Sequence, residues 1–247
     1  MGETLVKSKE RVKGFGEVYT PAKIVSEMLD CVDEAYEKSD KEKMTISTTF
    51  LEPACGDGNF IVQILARKLE MARKESAGDA DKYDELVAES VMSIYGVDIQ
   101  CDNVTETRER MMKLIENGKD HKKIDGIWEE VENQYLRGAE PYEKLTGHKL
   151  LDDTKKVFKS IIKKNILHGN FLTGKSCGEA DNNVDMYFLS YEKQEDGKFK
   201  VLGFTRDDIK DDKEASLGYD DTTGGRALAW KELDVVSNLH KVEEGDY

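Results

Sequence analysis

The chain has 247 residues, 37 Lys plus Arg against 51 Asp plus Glu, a formal charge of −14, 36% charged and 8% aromatic residues. That length suits one α/β domain with an appendage, or two small domains, and is enough to bury a core. The acidity argues against a protein that wraps nucleic acid unaided, since phosphate contacts need clustered Lys and Arg, but it leaves room for a locally basic face or a partner that supplies one.

Residues 1–13 are charged and lack the apolar core of a signal peptide, and no stretch reaches the length of a membrane span, so the default expectation is a cytoplasmic protein. The four cysteines (Cys31, Cys55, Cys101, Cys177) show no CxxC spacing and the four histidines no HxxxH, which predicts reduced thiols and no metal site. Thr20-Pro21 is a helix start, and Ile24, Val25, Met28, Leu29, Val32 and Tyr36 continue it at helical spacing over about residues 21–38. A charged connector leads to a first strand at 48–51.

The stretch Glu52-Pro53-Ala54-Cys55-Gly56-Asp57-Gly58-Asn59-Phe60 then reads as a strand running into a glycine hinge and a helix that reaches about residue 76. Gly56 and Gly58 are open to backbone angles closed to other residues, and the helix start offers unpaired N–H groups, so the stretch is a candidate cofactor cradle. Taken alone, a glycine turn with no ligand is its plain alternative. A short helix over 86–92 precedes a second buried strand, Ser93 to Ile99, ending in the acid Asp98, and a helix over 101–117 closes at Asn117-Gly118.

Residues 119–150 read as a helical insertion, followed by a helix carrying Phe158, Ile161 and Ile162 and a third strand at 165–172. Residues 184–191 and 198–204 alternate around Glu195-Asp196-Gly197, a hairpin signature. An acidic loop over 205–225 and a last helix over 227–240 complete the chain, and no internal repeat is present. Strands alternating with helices predict a parallel, doubly wound sheet.

Gly16-Glu17-Val18-Tyr19-Thr20-Pro21, the loop from Glu52 to Phe60, Tyr95-Gly96-Val97-Asp98 and His168-Gly169-Asn170-Phe171-Leu172 together resemble the S-adenosylmethionine-binding half of the N6-adenine DNA methyltransferases, especially the modification subunits of restriction systems. The resemblance spans most of residues 14–190. It implies a class I methyltransferase-like, doubly wound, mostly parallel sheet with an N-terminal helix, the 119–150 insertion and a C-terminal hairpin plus helix. Residues 1–204 would form the cofactor domain and 205–247 an acidic loop and helix.

By this resemblance Tyr19, Thr20 and Pro21 pack over the methionine end of S-adenosylmethionine, and Glu52 accepts from its ammonium group. The backbone of Pro53, Ala54, Gly56, Gly58, Asn59 and Phe60 would make room for it. Asp98, with Ile99 beside it, would take the ribose hydroxyls. Asp98 lies 42 positions after Gly56 rather than the roughly 20 of a dinucleotide fold, a spacing that favours a methyltransferase over an NAD-binding oxidoreductase. Asn170 would accept from the adenine amino group and Phe171 would stack on its ring.

The family's catalytic tetrapeptide, Asn/Asp/Ser-Pro-Pro-Tyr/Phe, holds the amino hydrogens of a flipped adenine and stacks on its ring. This chain has three prolines, Pro21, Pro53 and Pro141, all isolated. Aligning Asp185 with the acid that starts the family's fourth strand puts Ser190 and Tyr191 in the tetrapeptide's place; a strand edge is the alternative role for both.

The expectation is therefore an S-adenosylmethionine-dependent adenine methyltransferase of a restriction-modification type system. It would reach DNA through a partner or target-recognition subunit, in a homo- or hetero-oligomer, with no membrane and no metal. Two alternatives stay open: a catalytically inactive relative that binds cofactor or a partner, and a methyltransferase for RNA or a small molecule.

Overall fold

The computed structural model describes residues 6–38, 44–124, 126–136, 138–177, 184–210 and 227–235. In chain order the elements are α1 (Lys9–Phe15), α2 (Ala22–Lys38), β1 (Phe50–Glu52), α3 (Asn59–Ser76), α4 (Ala80–Met92), β2 (Ile94–Asp98), α5 (Cys101–Asn117), β3 (His121–Ile124) and β4 (Ile127–Glu130). They continue with α6 (Tyr142–Thr146), α7 (Asp152–Asn165), β5 (Ile166–Asn170), β6 (Lys175–Ser176), β7 (Tyr187–Lys193), β8 (Phe199–Thr205), α8 (Arg206–Lys210) and a 3₁₀ turn at Trp230–Val235.

Three strands form a parallel sheet in the order β1-β2-β5, and β6 adds an antiparallel edge. Leu51 pairs with Tyr95 and Val97 with Leu167, so these side chains share one face, while Ile94 and Ile166 share the other. Each strand is added on the same side of its predecessor. Crossovers of one hand that step in one direction deposit their helices on one face. Accordingly Ile61, Leu65 and Leu69 of α3, Leu86 and Val87 of α4, Met111 and Leu114 of α5, and Phe158 and Ile161 of α7 are buried in one cluster with Ile94 and Ile166.

The opposite face, Leu51, Tyr95, Val97 and Leu167, is covered by Met186, Phe188, Phe171 and Phe204, with Phe188 stacked on Phe204 at 5.4 Å. The Tyr95 hydroxyl donates to the Leu189 carbonyl at 2.6 Å and ties this cover to the sheet. A mixed α/β architecture with a parallel centre is thus present. Among the described residues no strand pairs with the outer edge of β1, and residues of the β7–β8 hairpin pack on the second face.

The expected helical insertion at 119–150 is corrected. β3 and β4 form an antiparallel hairpin pairing His121 with Glu130 and Ile124 with Ile127, and among the described residues of this stretch only the five-residue α6 is helical. Asp125-Gly126, flanked by runs with Ile and Trp, was the hairpin signal in the sequence. Within the expected last helix, Leu228 bridges to Phe199 and the 3₁₀ turn follows; residues 236–240, like 211–225 of the expected acidic loop, lie outside the described residues.

Among the described residues no helix is long and apolar enough to cross a membrane.

Candidate functional site

The carboxyl ends of β1 and β2 meet at the glycine loop. The Cys55 N–H donates to the Val97 carbonyl at 2.9 Å, extending the ladder one step past Glu52 before the chain turns away. Gly56 (φ 53°) and Gly58 (φ 95°) supply the left-handed angles of that turn. Both are also tightly overlaid. A Cβ on Gly56 would sit 3.1 Å from the Tyr19 ring, and one on Gly58 2.9 Å from Thr107 Oγ1. Helix α3 starts at Gly58 with no side-chain cap, so its first N–H groups face the loop unclaimed by a capping side chain.

Asp98 closes the loop onto β2. Its Oδ2 accepts from the Gly56 N–H at 2.9 Å; its Oδ1 accepts from the Gln100 N–H at 2.8 Å and from Asn103 Nδ2 at 3.2 Å. Thr107 on α5 donates to the Gly56 carbonyl at 3.1 Å. Glu52 is half-buried and accepts from the Ala54 N–H at 3.2 Å; burial raises its pKa, and among the described residues no cation pairs with it. Pro53 and Ala54 are exposed beside it, and Ile99 is exposed beyond Asp98.

Beneath the loop lies a buried charge cluster that residue spacing did not announce. Arg110 is fully buried and donates to the Asp57 carbonyl at 2.6 Å, to Asn59 Oδ1 at 3.1 Å, and through Nε and Nη2 to both Asp120 oxygens at 3.1 and 2.9 Å. Burial works against its charge, but Asp120 and Asp57 outweigh it and raise the pKa. Lys122 reaches Asp57 Oδ2 at 3.2 Å. The loop is thereby clamped from α5 and from the β3–β4 hairpin at once.

The N-terminal segment is held on top by a polar stripe of α3. Asn59 Nδ2 donates to the Thr20 carbonyl at 2.9 Å, Gln63 Nε2 to the Ala22 carbonyl at 2.8 Å, and Arg67 to the Ser26 carbonyl at 3.2 Å. These residues recur every four positions, so they occupy one helix face, and that period was the available signal. Tyr19 is buried by the arrangement, and its hydroxyl lies 2.9 Å from Glu17 Oε1 and 3.1 Å from Asn103 Oδ1. Burial, with the charges of Asp57 and Glu17, raises its pKa.

Comparison with protein-family models, with curated proteins and with solved structures gives no match.

Tyr19, Thr20, Ala54, Gly56, Gly58, Asn59 and Asp98 come together at one place, with Glu52 at its edge; Pro21 leads into α2 and Phe60 packs into the helical core. Asn170 and Phe171 end the neighbouring strand, where His168 pairs with Asp98. The Asn170 oxygen, however, caps its own turn, accepting from the Leu172 and Thr173 N–H groups at 3.0 and 3.4 Å, and the Phe171 ring packs against the hairpin-side core.

Ser190 and Tyr191 pair with Leu202 and Val201 in the hairpin, beside Leu189, whose carbonyl accepts from Tyr95 of β2, and Tyr191 packs against the helical core, where burial raises its pKa. Asp185, aligned with the acid that starts the family's fourth strand, bridges Lys175 of β6, 2.7 Å between Nζ and Oδ1. A cleft of about 280 Å³ between α2 and α3 is remote from the loop, and its Asp33 and Arg67 are already paired. Among the described residues no group of three or more His, Cys, Asp or Glu is placed to hold a metal ion.

Proposed function

We propose that this protein binds S-adenosylmethionine at the loop between β1 and β2, as a methyltransferase-like protein of the N6-adenine DNA methyltransferase kind acting in a restriction-modification type system. The observation that carries the reading is the pairing of two carboxylates, Glu52 and Asp98, at the ends of adjacent parallel strands, on either side of a glycine loop on which Tyr19 is packed. The donors and acceptors fit the cofactor. Glu52 lacks a cation and suits an ammonium group; Asp98 has used three of about four acceptor positions and can take a ribose hydroxyl on the fourth. The uncapped start of α3 suits the cofactor's carboxylate.

When bound, the cofactor supplies an electrophilic methyl group on sulfur. The chain's own part is to orient it: Gly56 and Gly58 let it approach the backbone, Tyr19 excludes water from the methionine end, and Asp98 fixes the nucleoside. A class I methyltransferase-like fold, DNA as substrate, a partner that recognises the sequence and a cytoplasmic site of action belong to the same proposal.

A second reading is favoured by one specific observation. The chain has no Pro-Pro, and Ser190 and Tyr191 are paired within the β7–β8 hairpin. On this reading the chain binds the cofactor and leaves methyl transfer to a partner, or transfers none.

Calorimetric titration with S-adenosylmethionine and S-adenosylhomocysteine tests the first step. Asp98→Ala should weaken binding by about a hundredfold, the loss of charge-assisted bonds to the ligand together with the anchor of Gly56. A labelled-methyl assay on varied DNA then separates the two readings. Binding with transfer supports the enzyme, binding without transfer supports the second reading, and absence of binding overturns both.

A further inference from the structure

Asn103, in the first turn of α5, is 1% exposed and uses its whole amide. Its Nδ2 donates to Glu17 Oε2 at 3.0 Å and to Asp98 Oδ1 at 3.2 Å, and its Oδ1 lies 2.8 Å from Lys7 Nζ and 3.1 Å from the Tyr19 hydroxyl. The partners fix the amide's orientation, because the nitrogen meets two carboxylates and the oxygen meets an ammonium and a phenol. One buried side chain thus joins the carboxylate at the end of β2 to three residues of the N-terminal segment.

That segment is otherwise attached to α5 by ion pairs. Lys7 reaches Glu106 at 2.8 Å and Asp102 at 3.1 Å, while Arg11 meets Asp102 and Glu17, each at 2.5 Å. Its Tyr19 ring lies 3.1 Å from where a Cβ on Gly56 would sit. The segment therefore covers the loop, and a ligand that enters has to displace or rearrange it.

Resting on the cofactor reading above, we propose that Asn103 is a positioning residue that couples the two ends of the cofactor site: a nucleoside held by Asp98 fixes the amide, and the amide in turn holds Glu17 and Tyr19 down over the amino-acid end. Occupancy of the nucleoside end alone then tightens the cover. The ligand class that uses this coupling joins a ribonucleoside to an amino-acid moiety. Each half raises the affinity for the other, because both act on one shared hydrogen-bonded group.

The test is limited trypsin digestion of the full chain at Arg11 and Lys13, with and without adenosine or S-adenosylhomocysteine, alongside calorimetry with the same ligands. In the wild type both ligands should slow cleavage by about fivefold or more, the lower end of ordinary coupling between sites. In Asn103→Ala the ratio of cleavage rates with and without ligand should fall to near one. In Glu17→Gln, which alters the cover and guards against a folding failure of the first variant, adenosine should bind up to about fivefold more weakly, by reciprocity with the lost coupling, and no longer protect, and S-adenosylhomocysteine should bind about tenfold more weakly.

A merely structural role would raise basal cleavage and leave that ratio intact. Protection that survives in folded Asn103→Ala or in Glu17→Gln overturns the coupling while leaving the cofactor reading in place, as does protection of the wild type by S-adenosylhomocysteine but not by adenosine. A wild type that binds neither ligand overturns the cofactor reading and the coupling with it.

Discussion

The glycine-loop end of the sheet and the β7–β8 hairpin contain similar residue types, acids, aromatics and hydroxyls, but hold them in opposite ways. At the loop the polar groups are cross-linked through buried donors: Arg110, Asn103, Thr107 and Asn59 each bond to a loop atom or to the segment above it. In the hairpin Phe188, Phe204 and Tyr191 are spent on packing, and the ion pairs of Lys193 with Glu85 and Glu89 lie on the outside. A dense buried polar network holds side chains in one geometry at high cost if broken, whereas an apolar cover tolerates change. The loop holds its polar groups in fixed positions, and the hairpin closes a sheet face.

The largest effect that would break this contrast is at Arg110. Arg110→Met leaves Asp57 and Asp120 as buried carboxylates without their guanidinium and should destabilise the protein by about 3–5 kcal/mol in urea unfolding. A loss below about 1 kcal/mol would mean that the network does not hold the loop.

Next is Gly58→Ala, which forces a side chain into φ 95° against Thr107 and should cost about 1–3 kcal/mol while lowering affinity for S-adenosylhomocysteine.

A comparable loss is expected for Lys68→Met. The buried Lys68 ammonium donates to the Ile46 and Thr48 carbonyls and to Ser93 Oγ, and losing it strands those acceptors at about 1–3 kcal/mol. Burial pushes the Lys68 pKa from 10.5 down to about 7, so between those values the unfolded chain binds the extra proton. Stability from this group therefore rises as pH climbs from 7 to 10.5, and the gap between wild type and variant should widen over that range in urea midpoints.

A smaller effect comes from Asp102. Burial pushes its carboxyl up, but the hydrogen bonds and charges of Arg11 and Lys7 outweigh this and hold it at about 2, below the ordinary 3.8. Its contribution is full above pH 3.8 and is lost as pH falls towards 2. Protection of the amides across residues 9–16, measured relative to their intrinsic exchange rates, should fall over that window in the wild type, and Asp102→Asn should abolish the dependence.

The smallest effect belongs to the hairpin: Ser190→Ala should stay within about 0.5 kcal/mol in stability and leave affinity for S-adenosylhomocysteine unchanged. Loss of methyl transfer in that variant would bring the hairpin into the site and erase the contrast between the two regions.

The loop was legible because glycines in a strand-to-helix turn, an acid ending the next strand and a Thr-Pro helix start each carry a local backbone reason visible in one dimension. Arg110 and Asn103 were not. Their positions on α5 look like ordinary polar turns of an amphipathic helix, and only the packing of α5 beneath the loop turns them inward. The 119–150 insertion was misread because its charges masked a short hairpin whose strands are four residues each. The Asn170 oxygen also takes part in a local turn at the end of β5, a bond that residue spacing did not announce.

By itself the sequence determined the alternation of strands and helices, the place of the hinge at Gly56 and Gly58, and the acid at the end of β2, since these depend on backbone angles and on the periodicity of apolar residues. Only the tertiary structure decided that the helices share one face, that a hairpin covers the other, and that Ser190 and Tyr191 are paired within that hairpin. Those outcomes depend on which strand is added to which edge, and that choice is made by packing between residues far apart in the chain.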